Sequence, residues 1–206
     1  ELRRAGPDAA AGLIETIESE AARLGRYIAN LLGMARIEAG AIRLRAEPVD
    51  LIDAVAAAAR DLRESLAGRR VRIDVPPDLP LVSADPELLH HCLINLLDNA
   101  ARYSPPGSAI AIEGCRDQQG VRLAVLDEGN GIPGEGGAAI FSRFARIAGS
   151  DRKGGAGLGL AIVGGFAGAM GIGVSAANRP DRQGAVFSLD FPAALLVREP
   201  AEGAAD

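Results

Sequence analysis

Leu93-Ile-Asn-Leu-Leu-Asp-Asn-Ala-Ala-Arg-Tyr-Ser104 is an apolar helical pattern that contains two amide side chains, Asn95 and Asn99. Because these residues are four apart, their side chains project from one face of a helix, one turn from each other. An amide oxygen can bind Mg²⁺, which takes its other ligands from water and substrate phosphates. Arg102 and Tyr103 add a cation and an aromatic ring. The stretch predicts a nucleotide pocket, although asparagines that only cap or bridge neighbouring elements would give the same pattern.

The helix that carries these residues has clear start and stop signals. Asp85 suits the N-cap position and Pro86 the first helical position. Residues 104–107 read Ser-Pro-Pro-Gly, which ends a helix. The sequence therefore predicts a helix over Pro86–Tyr103. Apolar residues bounded by turn residues predict strands at 71–75, 81–82, 109–114, 121–126, 172–176 and 185–191, and an Ala-rich run predicts a helix over 49–66.

The chain before residue 48 has a different, purely helical periodicity. Residues 8–46 predict one long helix that Pro48 stops. Its apolar or small residues alternate four and three apart, as in a coiled coil or four-helix bundle. We expect this apolar stripe to pack on a partner helix, although packing on the chain's own domain remains an alternative. The stripe consists of Ile17, Ala21, Leu24, Ile28, Leu31 and Ala35.

Strands 109–114 and 121–126, joined by a turn at residues 117–120, predict a β-hairpin. Two glycine-containing stretches follow it. Asp127 stands at a strand end before Gly129 and Gly131, where the backbone lets a ligand approach and the carboxylate could accept an adenine amino group. An ordinary Asp-Gly turn would look the same. Residues 154–163 place glycines at the start of an apolar helix, whose unpaired N–H groups favour phosphate. This stretch is not a P-loop, because the Gly-Lys-Ser/Thr ending is missing.

Composition restricts the class of protein. The 206 residues have a net charge of −5 and are 48% hydrophobic, which fits a packed globular protein and argues against generic nucleic-acid binding. Cys92 and Cys115 form neither a metal-ligand spacing nor a disulfide framework, so we expect a reducing compartment. No apolar stretch is long enough for a membrane span and no signal peptide opens the chain, so we expect a soluble protein. Because the sequence begins at Glu1, we also expect a piece of a longer protein.

Four motifs in order resemble the catalytic ATP-binding domain of sensor histidine kinases, within the superfamily that includes gyrase-type, Hsp90-type and MutL-type ATPases. Residues 95–104 resemble the N box, 127–131 the first glycine box, 141–144 the F box and 155–160 the second glycine box. The resemblance covers about residues 48–194. Residues 30–40 resemble the second helix of the dimerisation domain, and they and the Ala-rich segment are similar to potassium-responsive sensor kinases. The resemblance implies an α+β fold, a two-layer α/β sandwich in which helices cover one face of a mixed sheet, preceded by the long helix.

The resemblance also implies a role for each matched position in binding ATP and Mg²⁺. Asn99 would be the main Mg²⁺ ligand with support from Asn95, and Asp127 would accept the adenine amino group. Residues 134–155 would form a mobile lid, in or beside which Arg146 or Lys153 could stabilise charge on the γ-phosphate. The other positions implied to contact the nucleotide are Arg102, Tyr103, Gly129, Gly131, Ile132, Phe144, Gly155, Gly157, Leu158, Gly159 and Leu160.

One substitution within the superfamily bears on the reaction. Hydrolysing members have a glutamate four residues before the metal-binding asparagine, where it is the general base for water, and here Asn95 occupies that place. An amide cannot take a proton at neutral pH, so phosphoryl transfer to a protein nucleophile fits better than hydrolysis. The alternatives are a hydrolysing ATPase of this superfamily and a non-catalytic regulatory module that binds nucleotide or a partner. Ala156 departs from the family's frequent hydroxyl residue, which removes a side-chain contact.

A sensor kinase needs a phosphoacceptor histidine, and its sequence box is missing here. His90 and His91 lie on the ATP-binding helix itself, so we expect them to be packing or surface residues. We therefore predict a partial dimerisation region at 1–47, a catalytic domain at 48–196 and a disordered tail at 197–206. In the intact protein the chain would form a homodimer through its first helix and phosphorylate a histidine outside this sequence, which then supplies a response-regulator receiver domain. We expect a cytoplasmic location, with a membrane reached only through other parts.

Overall fold

A computed structural model describes residues 44–132, 137–141 and 158–197, together with twelve separate positions between residues 12 and 35. From residue 44 onward, the described elements are seven strands, three α-helices and two short 3-10 helices, and none of these helices is long and apolar enough to cross a bilayer. In chain order they are β1 (Glu47–Val49), α1 (Leu51–Asp61), β2 (Arg70–Asp74), β3 (Val82–Ala84), α2 (Pro86–Tyr103), β4 (Ala109–Arg116), β5 (Gly120–Leu126), a 3-10 helix (Ala138–Phe141), α3 (Leu158–Ala169), β6 (Gly173–Asn178), β7 (Ala185–Pro192) and a second 3-10 helix (Ala193–Leu195).

Five strands form one mixed sheet in the order β2-β4-β5-β7-β6. Strands β2 and β4 are parallel, and the other neighbours are antiparallel. Strand β5 alternates as a half-buried strand should: Val121, Leu123 and Val125 are buried, whereas Arg122 is exposed. Helices α1, α2 and α3 contribute to the same apolar core as the buried face. The predicted α+β fold, a two-layer sandwich with a mixed sheet, is confirmed.

Helix α2 begins and ends where the sequence predicts. The Asp85 carboxylate accepts the backbone N–H groups of Glu87 and Leu88 at 3.1 and 3.2 Å, which satisfies two unpaired donors of the first turn. At the other end, the Arg69 guanidinium donates to the carbonyl oxygens of Ala101 and Pro105. A cation at a helix C-terminus also opposes the helix dipole favourably. Both ends of α2 are therefore held by side chains.

Two predicted helix ends are wrong. The helix predicted over 49–66 ends at Asp61, and turns follow that bury Leu62 and Leu66 against the core. The helix predicted to reach about residue 46 has ended before Leu44, because residues 44–46 are not helical and β1 pairs with β3 directly after them. Strand β1 itself was not predicted. The predicted tail at 197–206 lies outside the described residues except for Val197.

All described positions between 12 and 35 are helical. Three residues of the apolar stripe, Ile17, Leu24 and Ile28, are 56%, 60% and 54% exposed in the single chain. Near the end of this segment, a Cβ on Gly33 would lie 2.8 Å from the ring of Phe166 in α3. The segment therefore comes close to the sandwich at Gly33, while Ile17, Leu24 and Ile28 of its apolar stripe remain exposed to solvent.

The two cysteines should differ sharply in reactivity. Cys92 is fully buried in α2, and this burial raises the pKa of its thiol to about 12, whereas Cys115 is exposed on β4. Only the thiolate reacts with disulfide reagents, so one thiol per native chain should react at pH 8. The second should react only after unfolding in guanidinium chloride. Rapid modification of both thiols in the folded chain, measured with Ellman's reagent, would contradict the burial of Cys92.

Candidate nucleotide-binding site

One face of α2 carries a row of half-buried polar side chains. Asn95, Asn99 and Tyr103 follow each other at four-residue intervals, so they lie on one side of the helix. At a rise of about 1.5 Å per residue, the row is about 12 Å long, which suits an extended nucleotide. The opposite side of α2 is core, with Leu89, Leu93, Leu96 and Leu97 almost fully buried. Core packing thus fixes the direction in which the polar row faces.

The first end of the row meets the start of α3. The Asn95 amide nitrogen donates to the carbonyl oxygen of His91 at 2.7 Å. Its oxygen lies beside Gly159, where an added Cβ would come within 3.2 Å of it. The N-terminus of a helix has unpaired backbone N–H groups and a positive partial charge. The predicted N box and second glycine box are therefore adjacent, with donors suited to phosphate between them.

In the middle of the row, Asn99 and Arg102 have different surroundings. Among the described residues, no group makes a hydrogen bond to the Asn99 amide. Arg102 donates to Asp98 at 2.8 Å, an ion pair between residues one turn apart whose side chains are 16% and 25% exposed. The Arg102 guanidinium is therefore held on the helix surface by Asp98. A contact between Arg102 and phosphate would use another N–H group of this guanidinium or replace Asp98 as the partner.

The second end of the row meets the loop after β5. Asp127 is buried, and its Oδ1 accepts the backbone N–H groups of Gly129 and Ala185 at 2.8 and 3.1 Å. No described group donates to Oδ2. Burial raises the pKa of the Asp127 carboxyl, because loss of solvent outweighs the opposing effect of these two N–H groups and of Arg179. One carboxylate oxygen is therefore fixed by the backbone, and the other remains able to accept a ligand's donor.

Gly129 fits closely between this loop and α2. A Cβ at Gly129 would lie 2.8 Å from the carbonyl oxygen of Tyr103 and 3.0 Å from Asp127 Oδ1. The absence of a side chain lets the loop approach the end of α2. Tyr103, Gly129 and Asp127 are therefore brought together, as the sequence predicts for the adenine end of the site.

Asn178 at the end of β6 and two residues of the β6–β7 turn support this loop and were not among the predicted site residues. The Asn178 carboxamide bonds to both backbone groups of Ile132, and the Arg179 guanidinium approaches the Asp127 carbonyl oxygen at 3.4 Å. Gly184 lies against the same carbonyl oxygen. Only the glycine carries a recognisable signal, since it precedes a strand. The contacts of Asn178 and Arg179 join segments about fifty residues apart, which no local pattern reveals.

Several predicted site residues lie outside the described residues, namely Phe144, Arg146, Lys153, Gly155 and Gly157. Leu158 is the first residue of α3, and Leu160 is half-buried in its first turn. His90 pairs with Asp61 at 3.0 Å, and the His91 ring lies 6.0 Å from that of Phe166. Burial lowers the pKa of His91. Both histidines therefore have the surface and packing roles expected from the sequence.

The donor set fits Mg²⁺ bound together with phosphate better than a metal cage formed by the protein. Among the described residues, no group of three or more His, Cys, Asp or Glu side chains could hold a metal ion. The half-buried amide of Asn99 is a hard oxygen ligand of the kind that Mg²⁺ accepts alongside phosphate oxygens. The residues present therefore fit a Mg²⁺-nucleotide complex.

A carboxylate acceptor at one end, a helix N-terminus at the other and an amide between them define an ATP-binding α/β sandwich. Residues 84–195 match the family described as histidine kinase-, DNA gyrase B- and HSP90-like ATPases. The chain belongs to this family, and its ATP-binding domain is of the sensor histidine kinase type.

Individual relatives agree on this class. Sensor protein KdpD of Clostridium acetobutylicum is 33% identical over 187 residues, which are 89% of this chain and 20% of that protein. The adaptive-response sensory kinase SasA of Nostoc sp. is 35% identical over 166 residues, which are 79% of this chain and 41% of that protein. The structure of full-length ShkA in complex with AMPPNP superimposes with a TM-score of 0.73 at 28% identity and covers 96% of this chain and 41% of that one. The chain thus spans a fifth to two fifths of the length of these relatives.

Proposed function

We propose that this chain is the catalytic ATP-binding part of a sensor histidine kinase. In the parent protein it transfers the γ-phosphoryl group of ATP to a histidine outside this sequence, from which a response-regulator aspartate receives it. One observation carries the proposal: α2 connects the Asp127 carboxylate, whose Oδ2 accepts from no described group, to the N-terminus of α3 beside Asn95. The row between them has the length and polarity of an extended nucleotide.

Each end of the row has a separate task in this proposal. Asp127 Oδ2 accepts the adenine amino group, and Tyr103 packs beside the base. Asn99, supported by Asn95, would hold Mg²⁺, and this ion would supply charge neutralisation to the phosphates. The backbone N–H groups of Gly157, Leu158 and Gly159 bind phosphate. Arg102 contacts a phosphate oxygen, and Arg146 and Lys153 act on the γ-phosphate.

The environment of Asn95 supports phosphoryl transfer rather than hydrolysis. General-base activation of water needs a group that takes a proton near neutral pH. The Asn95 amide nitrogen already donates to the His91 carbonyl oxygen, and its oxygen lies against Gly159. Neither amide atom can act as the base. The position that carries the general base in hydrolysing members therefore offers none here, which favours transfer of the γ-phosphoryl group to a protein side chain.

The proposal also covers the organisation of the parent protein. Residues 1–47 are part of a dimerisation region, residues 48–196 are the catalytic domain and residues 197–206 are a tail. The exposed apolar stripe of the first helix supports a homodimer in which this helix packs on partner helices. We place the chain in the cytoplasm, where a receiver domain takes the phosphoryl group. The sequence identity to KdpD is close to that to SasA, so a potassium-responsive role stays a prediction.

The chain alone should bind ATP but acquire no stable phosphoryl group. Calorimetry should show one Mg²⁺-dependent site per chain, with a dissociation constant on the order of 1 µM to 1 mM. Incubation with γ-labelled ATP should leave His90 and His91 unlabelled, because one is paired with Asp61 and the other is packed on Phe166. A dimerisation hairpin of the parent protein that contains its histidine should become labelled when added.

Three outcomes would contradict the proposal in different ways. Absence of Mg²⁺-dependent ATP binding would indicate a regulatory module without a nucleotide. Steady phosphate release that is lost in Asn99→Ala would indicate a hydrolysing ATPase. Stable label on the chain that persists in the hairpin's absence and disappears in His90→Ala or His91→Ala would place the acceptor within this sequence.

A further inference from the structure

The β6–β7 pair holds the loop of residues 127–132 at both of its ends. At the first end, the Asp127 N–H donates to the Ala185 carbonyl oxygen at 3.0 Å, and the Ala185 N–H donates to Asp127 Oδ1 at 3.1 Å. At the second end, the Ile132 N–H donates to Asn178 Oδ1 at 2.6 Å, and Asn178 Nδ2 donates to the Ile132 carbonyl oxygen at 3.0 Å. The loop is therefore fixed between a strand and a side chain.

The Asn178 contact specifies both position and direction. Its carboxamide bonds to the N–H and the carbonyl of one residue, as a neighbouring strand would, so it fixes the orientation of the Ile132 peptide groups. Gly131 has a φ of +78°, and a Cβ there would lie 2.5 Å from Asn178 Oδ1. The close approach and the left-handed backbone at Gly131 together restrict the conformation of the loop between Gly129 and Ile132. Among the described residues, only Asn178 makes hydrogen bonds to Ile132, so removal of the carboxamide leaves this end of the loop less restrained.

The location of Asn178 separates this task from a role in core packing. Asn178 is the last residue of the edge strand β6, and it is exposed to solvent. Truncation to alanine therefore leaves no cavity in the core. Both hydrogen bonds of its carboxamide go to Ile132. A substitution at Asn178 should therefore alter the position of the loop more than the stability of the fold.

We propose that Asn178 is a positioning residue that sets the selectivity of the nucleotide site for adenine by fixing the loop between Asp127 and Ile132. This inference rests on the proposed function, because it assumes that Asp127 Oδ2 accepts the amino group of the base. Hydrogen bonding to a base requires placement of the acceptor within about half an ångström. Asn178 provides this placement without touching the nucleotide.

Asn178→Ala should lower the affinity for Mg²⁺-ATP about tenfold, the scale of one lost hydrogen bond. Purine riboside triphosphate lacks the amino group and so does not use Asp127, and its affinity should change by less than about twofold. Calorimetric titrations of the full chain with both nucleotides measure the ratio. The midpoint of thermal unfolding should move by only a few degrees. Ser175→Ala, a truncation of another exposed residue on β6, should leave both affinities unchanged.

Asn178→Asp provides a second measurement. It keeps the acceptor for the Ile132 N–H but places an oxygen against the Ile132 carbonyl, so it should also lose preference for ATP over purine riboside triphosphate. An unchanged preference in both variants, or equal loss of affinity for the two nucleotides, would overturn the inference. If the unaltered chain binds neither nucleotide, the proposed function fails as well. If it binds both nucleotides equally, the nucleotide site stands, but the adenine contact of Asp127 and the inference that depends on it are wrong.

Discussion

Asp127→Asn should weaken ATP binding strongly while leaving the fold at least as stable. An amide oxygen in the place of Oδ1 can still accept the N–H groups of Gly129 and Ala185. The amide NH₂ then stands where the carboxylate offers Oδ2, and it faces the amino group of adenine as a second donor. The amide of the Asp127→Asn variant and the adenine amino group would both be donors, so neither could make a hydrogen bond to the other and both would be left unsatisfied. We expect a loss of affinity for ATP of at least about 100-fold.

The stability of this variant follows from the direction of the pKa shift. Burial raises the pKa of the Asp127 carboxyl, so the ionised form is less favourable in the folded chain than in the unfolded one. At pH 7 this carboxylate lowers the free energy of unfolding, and a neutral amide removes that effect. As pH falls, the folded form becomes neutral at the raised pKa, and below the ordinary value near 3.8 the group is neutral in both states. The advantage of Asp127→Asn should therefore be largest at neutral pH and vanish below about pH 4.

Urea denaturation at several pH values and calorimetry with ATP and ITP measure the two effects separately. ITP carries an acceptor where ATP carries the amino group, so the Asp127→Asn variant should lose its preference for ATP over ITP. Asp127→Ala serves as a control that removes both oxygens. It should lose ATP binding and also stability, because the N–H groups of Gly129 and Ala185 lose their partner. Retention of ATP affinity by the asparagine variant would show that Asp127 does not contact the base.

Helix α2 explains why one element determines so much of the site. The leucines that pack on the sheet and the amides that face the nucleotide alternate on a single rigid helix, so the distance between the base end and the phosphate end is set by core packing. Asp85 and Arg69 hold its two ends. Substrate-positioning groups on a rigid element need little reorganisation when the ligand binds.

The parts of the fold that could be predicted are those whose signals are local. Helix α2 has a cap, a proline and a long apolar period within eighteen residues, and its bounds follow from them. Strand β1 has three residues, one of them Pro48, and it is a strand only because β3 pairs with it. The end of α1 depends on whether Leu62 and Leu66 reach the core by a further helical turn or by an irregular one. Tertiary packing decides that choice, and residue propensity does not.

The candidate site divides in the same way. Asn95, Asn99, Asp127 and the glycines could be recognised because amides and glycines are unusual in such positions. Asn178 could not, because its partner Ile132 lies 46 residues away and an exposed asparagine at a strand end is unremarkable by itself. Asp98 and Arg102 are four residues apart, so their ion pair could be predicted from the sequence. Its consequence, that Arg102 already has a partner, emerges only when the side chains are seen together.

Gly184→Ala should destabilise the chain by about 3 kcal/mol or more and should weaken ATP binding at the same time. Gly184 has a φ of +146°, a conformation that alanine strongly disfavours. A Cβ there would also collide with the carbonyl oxygen of Asp127 and lie 2.9 Å from the Arg179 side chain. Because the carbonyl belongs to the backbone, relief requires the β6–β7 turn to move away from the loop. That movement breaks the bonds between Ala185 and Asp127 that fix the acceptor.

Gly171→Ala is the matched control for this variant. Gly171 also has a positive φ, +73°, but nothing lies within 4 Å of a Cβ at that position. It should therefore incur only the backbone strain, about 1 kcal/mol, and leave ATP affinity unchanged. Urea denaturation with and without Mg²⁺-ATP compares the two. Equal destabilisation by both variants, or full ATP affinity in Gly184→Ala, would mean that the contact between the β6–β7 turn and Asp127 does not hold the site, since backbone strain alone would then account for both losses.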